Sequence, residues 1–267
     1  MKKLIALMLT LTMALSLAAC GSSGPAASGV SAADSDLAAV KEKGKLVVGI
    51  TDFEPMDYKD GNGEWIGFDA DLARKFAETL GVEAEFVEID WDNKALELDG
   101  KSIDCVWNGM TLTDEVLNSM ECSDGYLNNA QVVVVKSEVA DQYQTVDSLA
   151  GLTFAVESGS TGQSEAEANG LTYTEVQNQA AALMEVAAGT SDAAIIDSLM
   201  AAAMVGEGTS YADLTYTVGL NSEVYGVGFR KGSDLASALN DFLAACKSDG
   251  TMDQVAETYK VQAALIK

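Results

Sequence analysis

Histidine is absent from this 267-residue chain. Its absence excludes a histidine-based catalytic triad, a histidine-ligated zinc and a histidine pH switch. Basic residues are scarce: 16 Lys and Arg stand against 41 Asp and Glu, a net charge of −25. Phosphate repels such a chain, so nucleic acid is not an expected partner. The acidic surface attracts cations, although most of its carboxylates belong to a solvated face. Cysteine is limited to Cys20, Cys105, Cys122 and Cys246, with no Cys-x-x-Cys. Beyond Cys20 the thiols cannot all pair. Cys105, in an apolar strand, and Cys246, on the apolar face of a helix, read as buried free thiols. A Cys105–Cys122 disulfide is left open. No metal or cofactor is expected.

Long apolar runs are also missing, except at the N-terminus. Met1-Lys2-Lys3 is a basic head, Leu4 to Leu17 an apolar core, and Leu17-Ala18-Ala19-Cys20 a small-residue ending. This order predicts an export signal over residues 1–19 rather than a membrane-spanning helix. The ending resembles a bacterial lipobox, which implies that Cys20 becomes a lipidated first residue. Residues 20–40 are then a flexible Gly/Ser/Ala-rich tether. The expected location is extracytoplasmic, lipid-anchored to the outer face of the cell membrane. About 230 residues remain, enough for a full core in one or two domains.

Along that remainder, short β-branched runs alternate with helical periodicity. Lys45–Ile50, Glu85–Ile89, Ile103–Trp107 and Val132–Val135 read as strands. Leu72, Phe76 and Leu80 share one helix face, with Asp69 as candidate cap and Gly81 as stop. Tyr58–Gly67 reads as a hairpin turn; Tyr58 and Lys59 spoil the oxygen spacing of a calcium loop. A second series follows, with strands at 153–156, 171–175 and 192–196 and helices at 162–169, 178–188 and 198–205. Two βαβ blocks predict two α/β sheets. Late strands at 215–218 and 224–229 precede helices near 233–247 and 251–259.

Several segments in this order carry a resemblance: GKLVVGI (44–50), FEPMDY (53–58), GFDADLARKFAETLG (67–81) and GKSIDCVWNGMTLT (100–113). CSDGY (122–126), DSLAGLTFAVESGST (147–161), GTSDAAIIDS (189–198) and YGVGFRKGS (225–233) continue it. Together they resemble the amino-acid type, family 3, of bacterial extracellular solute-binding protein of ABC importers. The resemblance implies a type II periplasmic-binding-protein-like clamshell. Residues 45–134 plus 224–267 form lobe one, residues 135–223 lobe two, and two crossover strands near Val134 and Val224 the hinge. It further implies a monomer that hands a small ligand, an amino acid or amine, to a permease in the membrane.

The candidate ligand contacts follow from the same match. Asn108 to Val116, with the flanking Trp107, forms the ligand turn. Gly109 lets the backbone approach closely, Thr111 offers a hydroxyl, and Met110 lies between. Thr113 reads as a helix cap. Phe53 matches an aromatic wall or is a core residue, and Asp52 is the candidate acidic contact, on a loop one residue shorter than the common pattern. In lobe two, ESGSTG (157–162) opens a helix. The amides at Ser160, Thr161 and Gly162 suit an oxyanion, without the GKS/T of a nucleotide loop. Asp197, at a strand end, matches the family's partner of an α-ammonium.

One position departs from the pattern. Val116 stands where the family carries an arginine whose fork holds the α-carboxylate. Glu157, Asp197 and Asp52 then face no matched cation, which favours a cationic ligand. Alternatively Arg74, Lys94, Lys101 or Arg230 supplies the charge. A lyase or dehydratase on the same fold, and a surface sensor or adhesin, are the rival functions.

Overall fold

The computed structural model describes residues 35–267. The expected signal segment, Cys20 and most of the tether lie outside the described residues. The described chain opens with helix α1 (Asp36–Lys43), capped by Ser35, whose Oγ accepts from the Ala38 amide at 3.0 Å. Then come β1 (Lys45–Ile50), β2 (Tyr58–Lys59), β3 (Trp65–Ile66), α2 (Phe68–Leu80) and β4 (Glu83–Glu88). Helix α3 (Lys94–Asp99), β5 (Cys105–Thr111), α4 (Asp114–Ser119), β6 (Glu121–Cys122) and β7 (Leu127–Asn129) complete this half. A 3-10 turn, Trp91–Asn93, precedes α3. The turn at 58–67 pairs β2 with β3, and Asp60 accepts from the amides of Asn62 and Glu64 at 2.8 and 3.0 Å.

The second half holds β8 (Gln131–Lys136), β9 (Thr153–Glu157), α5 (Thr161–Ala168), β10 (Thr172–Val176) and α6 (Gln179–Ala188). It continues with β11 (Ala193–Asp197), α7 (Ser198–Met204) and β12 (Leu214–Gly219). The chain then returns as β13 (Glu223–Phe229), α8 (Leu235–Asp249) and α9 (Thr251–Thr258).

Besides the β2–β3 hairpin, two large sheets result, and each carries one lobe. The first has order β4-β1-β5-β13-β6, with β7 also on β13; the second has order β10-β9-β11-β8-β12. In each, a first strand lies between two parallel neighbours and an antiparallel strand joins from the crossover. The β8 run belongs wholly to the second sheet, so the first crossover is at Ala130, not near Val134. A continuous apolar run marks a doubly covered strand, but it does not say which sheet the strand joins. The second crossover occupies residues 220–222, and the Glu223↔Asn129 pairing sets the two side by side.

Burial explains the placement of α2. Leu72, Ala73 and Phe76 are at most 1% exposed and pack on the first sheet. Each large side chain contributes about 2 kcal/mol by leaving water. Asp69 is not the cap of α2. Gly67 precedes the helix, and Asp69 turns inward to accept from the Gly109 amide at 2.7 Å and from Tyr126 Oη at 2.8 Å. Cys105 and Cys122 are free. They flank β13, paired with Phe229 and Gly228 respectively. Two strand spacings separate them by roughly 9–10 Å, beyond disulfide reach.

Candidate functional site

The carboxyl ends of β1 and β5 face those of β9 and β11 across a cavity of about 300 Å³. This is the topological position where open α/β sheets place ligands. Phe53, Asn108, Gly109, Met110, Thr111 and Val116 line the cavity from lobe one; Glu157, Ser160, Thr161 and Asp197 line it from lobe two.

The lobe-one wall is held rigid from behind. Asn108 is a clamp: its Oδ1 accepts from Thr51 N and Oγ1 at 3.0 and 2.8 Å, and its Nδ2 donates to Thr51 O at 3.1 Å and Asp57 Oδ2 at 2.8 Å. Gly109 sits at φ 56°, and an added Cβ would come within 2.6 Å of Phe53 Cε1. Phe53 in turn meets Tyr225 edge-on, with centroids 6.4 Å apart. Thr113 caps α4 by accepting from the Val116 amide at 3.2 Å. Val116 is 7% exposed and packs with Trp91, Met110 and Met120.

Two expected contacts do not line the cavity. Trp107 is fully buried against Phe76, with centroids 6.3 Å apart, because strand alternation turns it toward α2. Asp52 is exposed: the tight turn closed by Phe53 N to Asp57 O at 2.7 Å points Phe53 inward and leaves Asp52 in solvent.

Lobe two supplies the charge. Asp197 is 4% exposed; Gln131 Nε2 donates to its Oδ1 at 2.8 Å, and Asn129 and Gln179 donate to it as well. Burial, then the nearby Glu223, holds Asp197 well above the usual carboxylate range. Burial raises Glu157 to about 8, while Lys94 pulls the other way. The helix-terminal cradle is narrower than expected. The Gly159 amide donates to Gln163 Oε1 at 2.7 Å and the Ser160 amide to Glu157 O at 3.3 Å. Of the first-turn residues expected to form the cradle, Thr161 lines the cavity and Gly162 does not, which leaves the Thr161 amide for a ligand.

A cation does enter the cleft. Lys94 Nζ reaches across it, donating to Trp91 O at 3.1 Å and to Gly159 O at 3.0 Å. It also lies 4.9 Å from the Trp91 ring centroid. Burial lowers Lys94 from its usual value, and Glu157 pulls it back up. The other basic candidates are elsewhere. Arg230 pairs with Asp36 at 3.0 Å, Arg74 with Asp71 at 3.3 Å, and Lys101 is exposed. The expectation of an acidic cleft without any matched cation is therefore corrected: Lys94 partly balances it.

The model of bacterial extracellular solute-binding proteins, family 3, matches residues 46–262. The chain belongs to that family. Its relatives include the L-cystine-binding protein TcyJ of Escherichia coli K12, 30% identical over 224 residues, which cover 82% of this chain and 84% of TcyJ. The arginine-binding extracellular protein ArtP of Bacillus subtilis is 30% identical over 264 residues, 96% of each chain. Among solved structures, the ancestral amino-acid-binding protein AncCDT-1, a precursor of cyclohexadienyl dehydratase, is 33% identical with a TM-score of 0.77. That match covers 84% of this chain and 99% of the ancestral one. The type II two-lobe architecture expected from the motifs agrees with such neighbours.

Within this family member, sequence reasoning missed Trp91, Gln131 and Gln179, all of which line the cavity. Gln131 had a signal: it is a lone amide at the head of the apolar run Val132–Val135. Gln179 had none, since its role depends on α6 pointing its first turn at Asp197.

Proposed function

We propose that this protein is the substrate-binding receptor of an ABC importer, and that it captures an amino acid with a basic side chain between its lobes. One observation carries the reading. The cleft encloses two buried carboxylates, Glu157 and Asp197, and a single ammonium, Lys94. Asp197 suits an α-ammonium, and Gly109 lines the same cavity from the other lobe. Lys94 and the Thr161 amide suit an α-carboxylate and so stand in for the fork that Val116 lacks. The remaining acidic wall then favours a cationic side chain. Lys94 argues against a polyamine, which has no carboxylate to offer.

Capture needs no chemistry. Open and closed forms exchange about the two crossovers, and contacts to both lobes favour the closed form. The closed receptor delivers its ligand to a membrane permease, and the Cys20 lipid holds it nearby. A dehydratase on this fold is the rival. It has no histidine base, and a receptor returns its ligand unchanged in a turnover assay.

A thermal-shift panel tests the assignment. L-arginine, L-lysine and L-ornithine should raise the melting temperature, by the equivalent of about 2.7 kcal/mol at a hundredfold excess over Kd. Asp197→Asn should abolish the shift. Stabilisation by glutamate or glutamine with none by the basic amino acids would reject the cationic reading. A shift from putrescine equal to that from ornithine would reject the role of Lys94.

A further inference from the structure

Glu157 ends β9 at the cleft and is 3% exposed. Its Oε1 has no hydrogen-bond partner among the described residues, and the side chain lines the cavity. Gln179 and Thr51 are the side-chain donors near this carboxyl, but with one oxygen bare its burial favours the neutral acid or a cation beside it. The charged groups that line the same cavity come from five elements: Asp92 in the 3-10 turn, Lys94 in α3, Glu115 in α4, Glu167 in α5 and Asp197 in β11. Acids outnumber the one ammonium, whose Nζ already donates to Trp91 O and Gly159 O. Lys94 draws Glu157 toward ionisation, and burial outweighs it.

We propose that Glu157 is a proton-exchanging specificity residue: a neutral acid in the ligand-free receptor, whose proton is replaced by the cationic end of a basic amino acid. The proposal rests on the reading of the cleft given above. In the exchange the Glu157 O–H bond breaks, its electron pair stays on oxygen and the proton passes to solvent. The carboxylate then pairs with the ligand's guanidinium or ammonium, which keeps its own protons. A neutral side chain offers no such replacement and leaves Glu157 protonated. The upward displacement of this carboxyl by burial agrees with the geometry. Discrimination between basic and neutral ligands is then set by pH as well as by shape. Affinity for a basic amino acid rises with pH through the neutral range and levels once Glu157 is ionised without ligand.

Calorimetric titration of the purified protein with L-arginine, in two buffers of different ionisation enthalpy, counts the protons released per ligand. Near neutral pH the wild type should release about one proton more than Glu157→Gln. Its affinity should rise by up to about tenfold per pH unit below the carboxyl's titration, and the variant's curve should be flatter. Equal release by the two proteins, or none, overturns the proposal. Should the variant fail to fold, L-citrulline, the neutral isostere of arginine, gives the comparison on wild type. A pH-dependent rise for arginine alone supports the exchange, and parallel curves overturn it. Failure of every basic amino acid to bind removes the cleft reading and the exchange with it. Binding without proton release removes the exchange alone.

Discussion

Two pairs of buried carboxylates lie on opposite sides of one wall. Asp57 and Asp69 sit behind the Asn108–Gly109 turn, whereas Glu157 and Asp197 face the cavity in front of it. Burial raises all four. The rear pair serves the fold. Asp69 orients the Gly109 amide and Tyr126, and Asp57 receives Asn108 Nδ2 at 2.8 Å. Asp57 Oδ1 is as bare as Glu157 Oε1, yet it does not line the cavity. A displaced carboxyl or an unpaired oxygen therefore does not by itself mark a binding site. Access to a cavity shared by both lobes is what separates the front pair from the rear one.

The sharpest way to break this division is to disturb the wall itself. Gly109→Ala adds a Cβ at φ 56°, within 2.6 Å of Phe53 Cε1 and 3.0 Å of Tyr225. Strain and overpacking together should cost about 3 kcal/mol. Ligand binding should fall by more than tenfold, because the Phe53 surface moves. Denaturant unfolding and calorimetry measure both; an unchanged midpoint would show that the wall yields.

Asp69→Asn probes the rear pair alone. Burial raises Asp69 to about 6, against about 3.9 in an unfolded chain. Between those values the folded protein holds a proton that the unfolded one has released. This group's contribution to stability therefore declines as pH rises through that window, by roughly 3 kcal/mol in all. Unfolding free energies at several pH values should show the decline in wild type and a shallower one in the variant, where Asp57, Glu157 and Asp197 still titrate. Ligand-linked proton release should be the same in both, since Asp69 is behind the wall. Parallel stability profiles would place the titration on another group.

Gly159→Ala acts at the front and should have the smallest effect. Gly159 sits at φ 69°, and a Cβ there would approach Asp92 Cα, on the other lobe, to 2.7 Å. Closure should be hindered, with affinity reduced less than tenfold and the unfolding midpoint lowered by no more than about 1 kcal/mol. Small-angle scattering with ligand should show a more open average shape than wild type.

The periodic parts of this molecule were legible in its sequence. The Leu72–Phe76 face and the β-branched runs report local propensity and one-sided burial, which spacing records directly. The position of the first crossover was not legible, because Val132–Val135 is apolar on both faces in either sheet. Turn and strand-end chemistry pointed to Gly109 and Asp197, and both line the cavity. Lys94 could only be put among four basic candidates, since its arrival in the cleft depends on how the Trp91–Asn93 turn meets lobe two. Trp107 and Asp52 were misplaced for the converse reason. Each adjoins a site residue in sequence, and backbone alternation or a tight turn sends it away.

The order of the strands has one more consequence. β13, at residues 223–229, lies between β5 and β6, which are made more than a hundred residues earlier. Ser35 and Asp36, at the start of the described chain, are tied to Asp234 and Arg230. Lobe one is thus stitched from both ends around an inserted lobe two. While the chain is being synthesised, lobe one stays without the strand that joins β5 to β6 until residues 223–229 have emerged, and loop closure delays it further. The late return of β13 is a built-in timer that keeps the first half unfinished for most of synthesis.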